Sequence, residues 1–254
     1  MLRLLDETSQ VRALNRRLEG LDRLKDDFMS SVTHELRTPL ASIRACAELM
    51  RDTPDMEPEQ RRQFLELLVT ESERLTRLVN QVLDLAKIES GHAEWRNEDV
   101  DVAALIAHAV QATAGSLQER GATVAVDCPQ GLPALHADRD RVLQVLLNLL
   151  SNAAKFTPSG GGRIRVCVAA EPHELQVEVE DNGPGVPAEQ RALVFERFRQ
   201  GGDARRRPTG TGLGLPISRQ IVEHYGGRMW LRDAPGGGAC FGFALPWRAV
   251  KEAA

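Results

Sequence analysis

From Leu14 onward, apolar residues recur at spacings of three and four: Leu14, Leu18, Leu21, Leu24, Phe28, Val32, Leu36, Leu40, Ile43, Ala47 and Met50. A 3.6-residue period brings such positions onto one side of a helix, so the pattern predicts a long amphipathic helix. The stretch Thr53-Pro54-Asp55-Met56-Glu57-Pro58 interrupts it. Pro58 suits the first position of a second helix, where its missing N–H costs no hydrogen bond. That helix carries Phe64, Leu68, Leu75, Leu78, Val82, Leu85 and Ile88 in a near-heptad rhythm and is expected to stop at Ser90-Gly91. Two helices cannot enclose both of their apolar stripes. A second copy of the hairpin would complete a four-helix bundle, so a homodimer is expected; the other solution is packing on the chain's own second domain.

Beyond Gly91 the rhythm changes to short alternating runs between helical stretches, which puts a boundary near residues 91–100. Asp101 suits the N-cap of a helix reaching about Arg120. A strand at Thr123–Asp127, a helix from about Asp138 to Phe156, and strands at Arg163–Ala169 and Glu174–Glu180 follow. A helix at Leu213–Tyr225 and strands at Arg228–Arg232 and Ala239–Leu245 close the chain. Hairpin-joined strands with helices on one face make an α+β sandwich. The expected organisation is an N-terminal helix or coiled coil over 1–20, a helical hairpin over 21–91, a linker over 92–100 and the sandwich over 101–248.

Composition narrows the function classes. At 254 residues, with 42% hydrophobic and 27% charged side chains, the chain has room for two folded units and no sign of disorder. A net charge of −4 lacks the clustered Lys/Arg excess that a nucleic-acid surface needs. Cys46, Cys128, Cys167 and Cys240 are scattered without metal-ligand spacing and suit a reducing cytosol. No stretch approaches the roughly 18–20 apolar residues of a membrane span. A cytosolic location is therefore expected, compatible with the chain being the cytosolic part of a longer membrane-bound sensor.

Four segments carry candidate chemistry. Ser30, His34 and Thr38 share a polar helix face at four-residue spacing, off the stripe Phe28, Val32, Leu36 and Leu40, so His34 should be exposed. Glu35 could accept a hydrogen bond from one ring nitrogen and leave the other as a nucleophile. Pro39 removes a backbone donor and should kink the helix one turn beyond His34. A lone exposed histidine is equally compatible with simple solvation, and Thr38 stands where a zinc-binding pair would need a second histidine. Next, Asn148 and Asn152 lie at i, i+4 on a helix otherwise covered by Val145, Leu146, Leu149, Leu150 and Ala153, with Lys155 on an adjoining arc. Amide oxygens can hold a hard Mg²⁺ ion and a lysine can meet phosphate, although a structural amide network would look the same.

Third, Asp181 continues the inward parity of Leu175, Val177 and Val179, so its carboxylate should face the covered side and require a donor. The exocyclic amine of adenine could supply it, and Gly183 and Gly185 in the following turn permit close approach of a ligand. An ordinary Asp-Asn-Gly turn reads the same way. Fourth, Gly210-Thr211-Gly212-Leu213-Gly214-Leu215 opens a helix whose N–H groups could receive phosphates, without the Lys-Ser/Thr of a P-loop or the preceding strand of a dinucleotide fingerprint. The Gly- and Arg-rich residues 201–208 read as a lid, its arginines assisting ATP or merely solvated.

In order along the chain, FMSSVTHELRTPL, LLNLLSNAAKFT, DNGPGV, VFERFRQ and GTGLGL resemble the H, N, G1, F and G2 boxes of two-component sensor histidine kinases, over about Leu21 to Pro246. The resemblance implies a dimerisation and histidine-phosphotransfer hairpin at 21–91, preceded by a signalling helix, and an ATP-binding domain of the Bergerat (GHKL) type. His34 then matches the phosphoacceptor, Glu35 the acidic residue that assists it, and Thr38 a position that orients water during dephosphorylation of the partner. Asn148, Asn152 and Lys155 match the Mg²⁺ and phosphate positions, with Asn148 and Asn152 as metal ligands. Asp181 matches the adenine-recognising aspartate. Gly183, Gly185, Gly210, Thr211, Gly212, Leu213 and Gly214 match the nucleotide loops, and Phe195 and Phe198 the F box. Arg199 and Gln200 stand where many members have Tyr-Arg. The implied activity is transfer of the ATP γ-phosphoryl group to His34 and onward to an aspartate of a response regulator. Two rivals are a nucleotide-holding protein that signals by contact alone, and a GHKL ATPase or serine kinase. Intact His34, Asn152, Asp181 and glycine loops speak against the first, and HELRTP on a dimerising hairpin against the second.

Overall fold

A computed structural model of the chain describes residues 26, 29–196 and 212–247. It divides into two compact units, 1–83 and 84–254. The helix or coiled coil expected over 1–20 lies outside the described residues.

The first unit is a helical hairpin. Helix α1 spans 29–52 and runs through Pro39 without a break in its assignment. The turn is closed by Met56 N–H donating to the Thr53 carbonyl (3.2 Å) and Arg61 Nη2 donating to the Pro54 carbonyl (2.9 Å). Helix α2 spans Pro58–Glu89, extending into the second unit. It stops where Gly91 takes φ +71° and His92 N–H reaches back to the Lys87 carbonyl (2.9 Å), the bond a left-handed C-terminal glycine permits. Val32, Cys46 and Leu78 are buried, but the expected α1 stripe is not covered along its length. Leu36 is half-buried, Leu40 is 57% exposed, and Phe28 lies outside the described residues. A wide apolar face meeting one neighbouring helix is covered along one strip only. Leu49, Leu65, Val69, Val79 and Leu83 are exposed as well.

The second unit is a sheet backed by helices. In chain order it contains β1 (Asn97–Val100), α3 (Val102–Glu119), β2 (Thr123–Asp127), β3 (Leu135–Asp138), α4 (Arg139–Phe156), β4 (Arg163–Ala170) and β5 (Glu174–Asp181). Two short 3₁₀ turns, α5 (Gly214–His224), β6 (Arg228–Asp233) and β7 (Ala239–Pro246) complete it. Five strands form one sheet in the order β2-β4-β5-β7-β6, with β2 parallel to β4 and the other neighbours antiparallel. Asp101 caps α3 by accepting from Ala104 N–H (3.0 Å), and Asp138 caps α4 by accepting from Asp140 and Arg141 N–H. Val142, Val145, Leu146, Leu149, Leu150 and Ala153 of α4 and Ile217, Ile221 and Val222 of α5 are buried with the inward residues Val166, Val177, Val179 and Phe243 of the sheet. This apolar layer is the core that fixes where α4, α5 and the end of β5 stand.

Residues 92–100, expected as a linker, contain β1, which pairs antiparallel with β3 as a separate two-stranded sheet. Asn-Glu-Asp-Val holds a single apolar residue, and a four-residue strand is too short to show a period. Tyr225 ties this small sheet down: its hydroxyl donates to Asn97 Oδ1 and accepts from Asp138 N–H, both at 2.8 Å. No helix among the described residues is long and apolar enough to cross a membrane.

Candidate functional site

On the hairpin, His34 and Thr38 are exposed on α1 one turn apart. Thr38 Oγ1 donates back to the His34 carbonyl at 3.3 Å, and Pro39 has no N–H to offer the Glu35 carbonyl. Glu35 does not meet the imidazole as expected. It turns inward, half-buried, with Oε2 3.6 Å from Arg74 Nη2 on α2. A carboxylate drawn out of water goes to the nearest cation, and Arg74 is that cation.

In the second unit three elements converge. Asn148, on α4, spends both amide protons on α5: Nδ2 lies 3.2 Å from the Gly214 carbonyl and 3.1 Å from Ser218 Oγ. Side-chain Oδ1 keeps its acceptor capacity. Gly214 is where the two helices touch, because a Cβ there would stand 3.3 Å from the Asn148 amide. Asn152 is half-buried one turn on; Lys155, also half-buried, holds its ammonium 5.1 Å from the Phe156 ring centroid. The α5 N-terminus follows Gly212, at φ +67°, and buried Leu213, and no side chain among the described residues caps it. Backbone N–H groups at such an end can receive an anion.

Asp181 ends β5, 6% exposed, on the inward side of the strand. Its Oδ1 accepts from Gly183 N–H (2.8 Å) and Ala239 N–H (3.3 Å), and no donor among the described residues meets Oδ2. Burial raises the carboxyl's pKa, with the two N–H groups working against the rise. The backbone around it is packed to the limit. A Cβ on Gly183 would lie 2.6 Å from the Phe156 carbonyl oxygen and 2.8 Å from Asp181 Oδ1. One on Gly238, at φ +98°, would lie 1.9 Å from the Asp181 carbonyl oxygen, and Gly185 (φ +72°) also faces Gly238. The Phe156 contact joins the end of α4 to the Asp181 turn, so the expected Asn, Lys, Asp and Gly residues come from elements that meet. Their arrangement offers, among the described residues, a carboxylate with one oxygen unpaired, amide oxygens, an ammonium and a helix end without a side-chain cap.

Sequence reasoning missed Gly238, the Ala239 N–H and Ser218. The run Gly236-Gly237-Gly238, all at φ between +94° and +98°, was the available signal for the first; Ser218, four residues after Gly214, carried none. Phe195 packs edge-on against Phe241 with centroids 6.4 Å apart, and the Arg219 guanidinium lies 6.0 Å from its ring. Phe198, Arg199, Gln200, the lid stretch 201–208, Gly210 and Thr211 lie outside the described residues.

Residues 24–91 match the family described as the His Kinase A (phospho-acceptor) domain, and residues 137–249 match the histidine kinase-, DNA gyrase B- and HSP90-like ATPases. This chain belongs to the sensor histidine kinases. It is 36% identical over 243 residues to sensor histidine kinase AruS of Pseudomonas aeruginosa, covering 94% of this chain and 24% of that protein. It spans less than half the length of the first curated histidine kinases it matches. Among solved structures, full-length ShkA in complex with AMPPNP is 30% identical, with a TM-score of 0.66 over 88% of this chain and 46% of that one. The histidine kinase ThkA in complex with the response regulator protein TrrA is 25% identical, with a TM-score of 0.69 over 93% of this chain and 65% of that one. The histidine kinase fold thus comprises both units described above: a phosphoacceptor-type hairpin and a GHKL sheet domain.

Proposed function

We propose that this histidine kinase binds Mg²⁺-ATP in its second unit, phosphorylates His34 and passes the phosphoryl group to an aspartate of a response regulator. The observation that carries the reading is Asp181: buried, fixed through Oδ1, with Oδ2 left for a donor such as the adenine amine. Gly183, Gly185 and Gly238 let the backbone close in around that carboxylate and hold it in place. Gly210, Thr211, Gly212, Leu213 and Gly214 precede or open α5, whose uncapped N–H groups receive phosphate, and Lys155 adds a cation. The side-chain oxygens of Asn148 and Asn152 are the donors for Mg²⁺, a hard ion that takes oxygen ligands and supplies charge neutralisation along the phosphates. The AMPPNP bound to ShkA is of the same chemical class as the proposed ligand.

In the transfer, a ring nitrogen of His34 forms the N–P bond as the bond from the γ-phosphorus to the bridging oxygen breaks, and ADP leaves with that electron pair. The proton on the other ring nitrogen becomes acidic, and Glu35 accepts it. Thr38 orients water when the same surface removes the phosphoryl group from the regulator. The exposed apolar residues of the hairpin, Leu40, Leu49, Leu65, Val69 and Leu83, are covered by a second copy in a four-helix bundle. The response regulator docks on the same hairpin, as the ThkA–TrrA complex encourages.

The test is incubation with Mg²⁺ and γ-labelled ATP, followed by acid and alkali treatment. The expected product is acid-labile, alkali-stable label that chases onto a receiver domain and is absent from His34→Gln. A protein that binds ATP and never acquires label would contradict the proposal and leave contact signalling.

A further inference from the structure

Arg74 on α2 stands between two carboxylates. Its Nη2 is 3.6 Å from Glu35 Oε2 on α1, and its Nη1 is 3.7 Å from Glu71 Oε2, one turn earlier on α2. The three side chains are 24%, 23% and 16% exposed, so little water screens them. A guanidinium normally closes on a carboxylate as a planar fork at hydrogen-bonding distance. Here it closes on neither, and among the described residues Glu71 Oε2 is buried without a hydrogen-bond partner. One cation is shared by two anions, and its approach to either weakens its hold on the other.

We propose that Arg74 is a positioning residue for the chemistry at His34, acting through Glu35; this rests on the reading of His34 as phosphoacceptor and Glu35 as the acceptor of its ring proton. Closed on Glu35, Arg74 withholds that carboxylate from the imidazole. Closed on Glu71, it satisfies the unpartnered oxygen and releases Glu35 to swing toward His34. Glu71 is then the competitor that keeps Glu35 available. It touches neither His34 nor nucleotide, yet it sets how often the residue beside His34 is free.

Two substitutions push the device in opposite directions. Glu71→Gln removes the competing charge and hands Arg74 to Glu35, so the initial rate of His34 labelling at saturating ATP should fall about five- to tenfold. Arg74→Gln frees Glu35, so the rate should match or exceed wild type by about two- to fivefold. Arg74→Lys retains the charge and should stay within about twofold of wild type. The half-saturating ATP concentration should not move in any of them, since the effect is on the transfer step. If Glu71→Gln and Arg74→Gln slow labelling alike, or neither alters it, Arg74 is a brace between the helices and the proposal is wrong. Should Arg74→Gln fail to fold, the Glu71→Gln rate beside Arg74→Lys still decides. Absence of label from the wild-type protein is a different failure: it removes the reading of His34 and this inference with it.

Discussion

His34 and Asp181 are both polar residues on regular elements, but His34 stands in solvent on α1 whereas Asp181 is 6% exposed at the end of β5. Around His34 the structure is open, with exposed Leu40 and Met29 on the same helix. Around Asp181 it is closed: Gly183 and Gly238 leave no room for a single methyl group. A residue that must meet several partners in turn belongs on an accessible face, where its neighbours impose little. A residue that must recognise one shape is held by backbone that cannot be altered without strain. Substitutions of the tightly packed backbone positions around Asp181 should therefore cost stability and function together, and substitutions at His34 function alone.

The largest effect should come from Gly238→Ala. The new Cβ would meet the Asp181 carbonyl in a left-handed backbone conformation, and the loss should be on the order of 3 kcal/mol or more, read as a fall in the melting temperature. Asn148→Ala should cost about 1–3 kcal/mol, because Ser218 and the Gly214 carbonyl lose their amide partner, and nucleotide affinity should fall with it.

In Asp181→Asn, stability and binding should part company. Burial raises the Asp181 pKa above its ordinary 3.8, so the folded protein holds the proton more tightly than the unfolded chain. The stability this group contributes is full below 3.8 and is lost as pH rises through the raised folded value. At neutral pH the asparagine variant escapes that loss while still accepting from Gly183 and Ala239. Its nucleotide-free melting temperature should equal or exceed wild type, the difference vanishing on acidification. Nucleotide affinity should nevertheless drop roughly 10- to 100-fold in a titration, as expected for a lost charged hydrogen bond. The smallest stability effect belongs to His34→Gln, within about 0.5 kcal/mol by thermal melting, because the side chain it replaces is solvated. A large loss there would break the contrast between the units.

Much of this was legible in the sequence where a period or a cap announced it. The alternation of Leu175, Val177 and Val179 placed Asp181 inside, and Asp101 caps α3 as its type and position implied. What escaped has physical reasons. Strands β1 and β3 are four residues each, too short for a period, and they pair residues as far apart in the chain as Asn97 and Asp138. Gly238 acts through a backbone contact with Asp181, and Ser218 through an amide on another helix, neither of which leaves a local trace. Glu35 was expected to serve His34 because they adjoin in sequence. Arg74, on the facing helix, is the partner that folding brings within reach, and helical spacing within α1 contains no information about α2.

Transfer of the phosphoryl group to His34 from ATP held by the other unit is tested by tandem mass spectrometry at alkaline pH on peptides from protein incubated with Mg²⁺-ATP, beside the Asp181→Asn variant. Phosphate on His34 in the wild type, and its absence or near absence in the variant, is the expected result. Phosphate on another residue, or on His34 to the same extent in both proteins, would contradict the account.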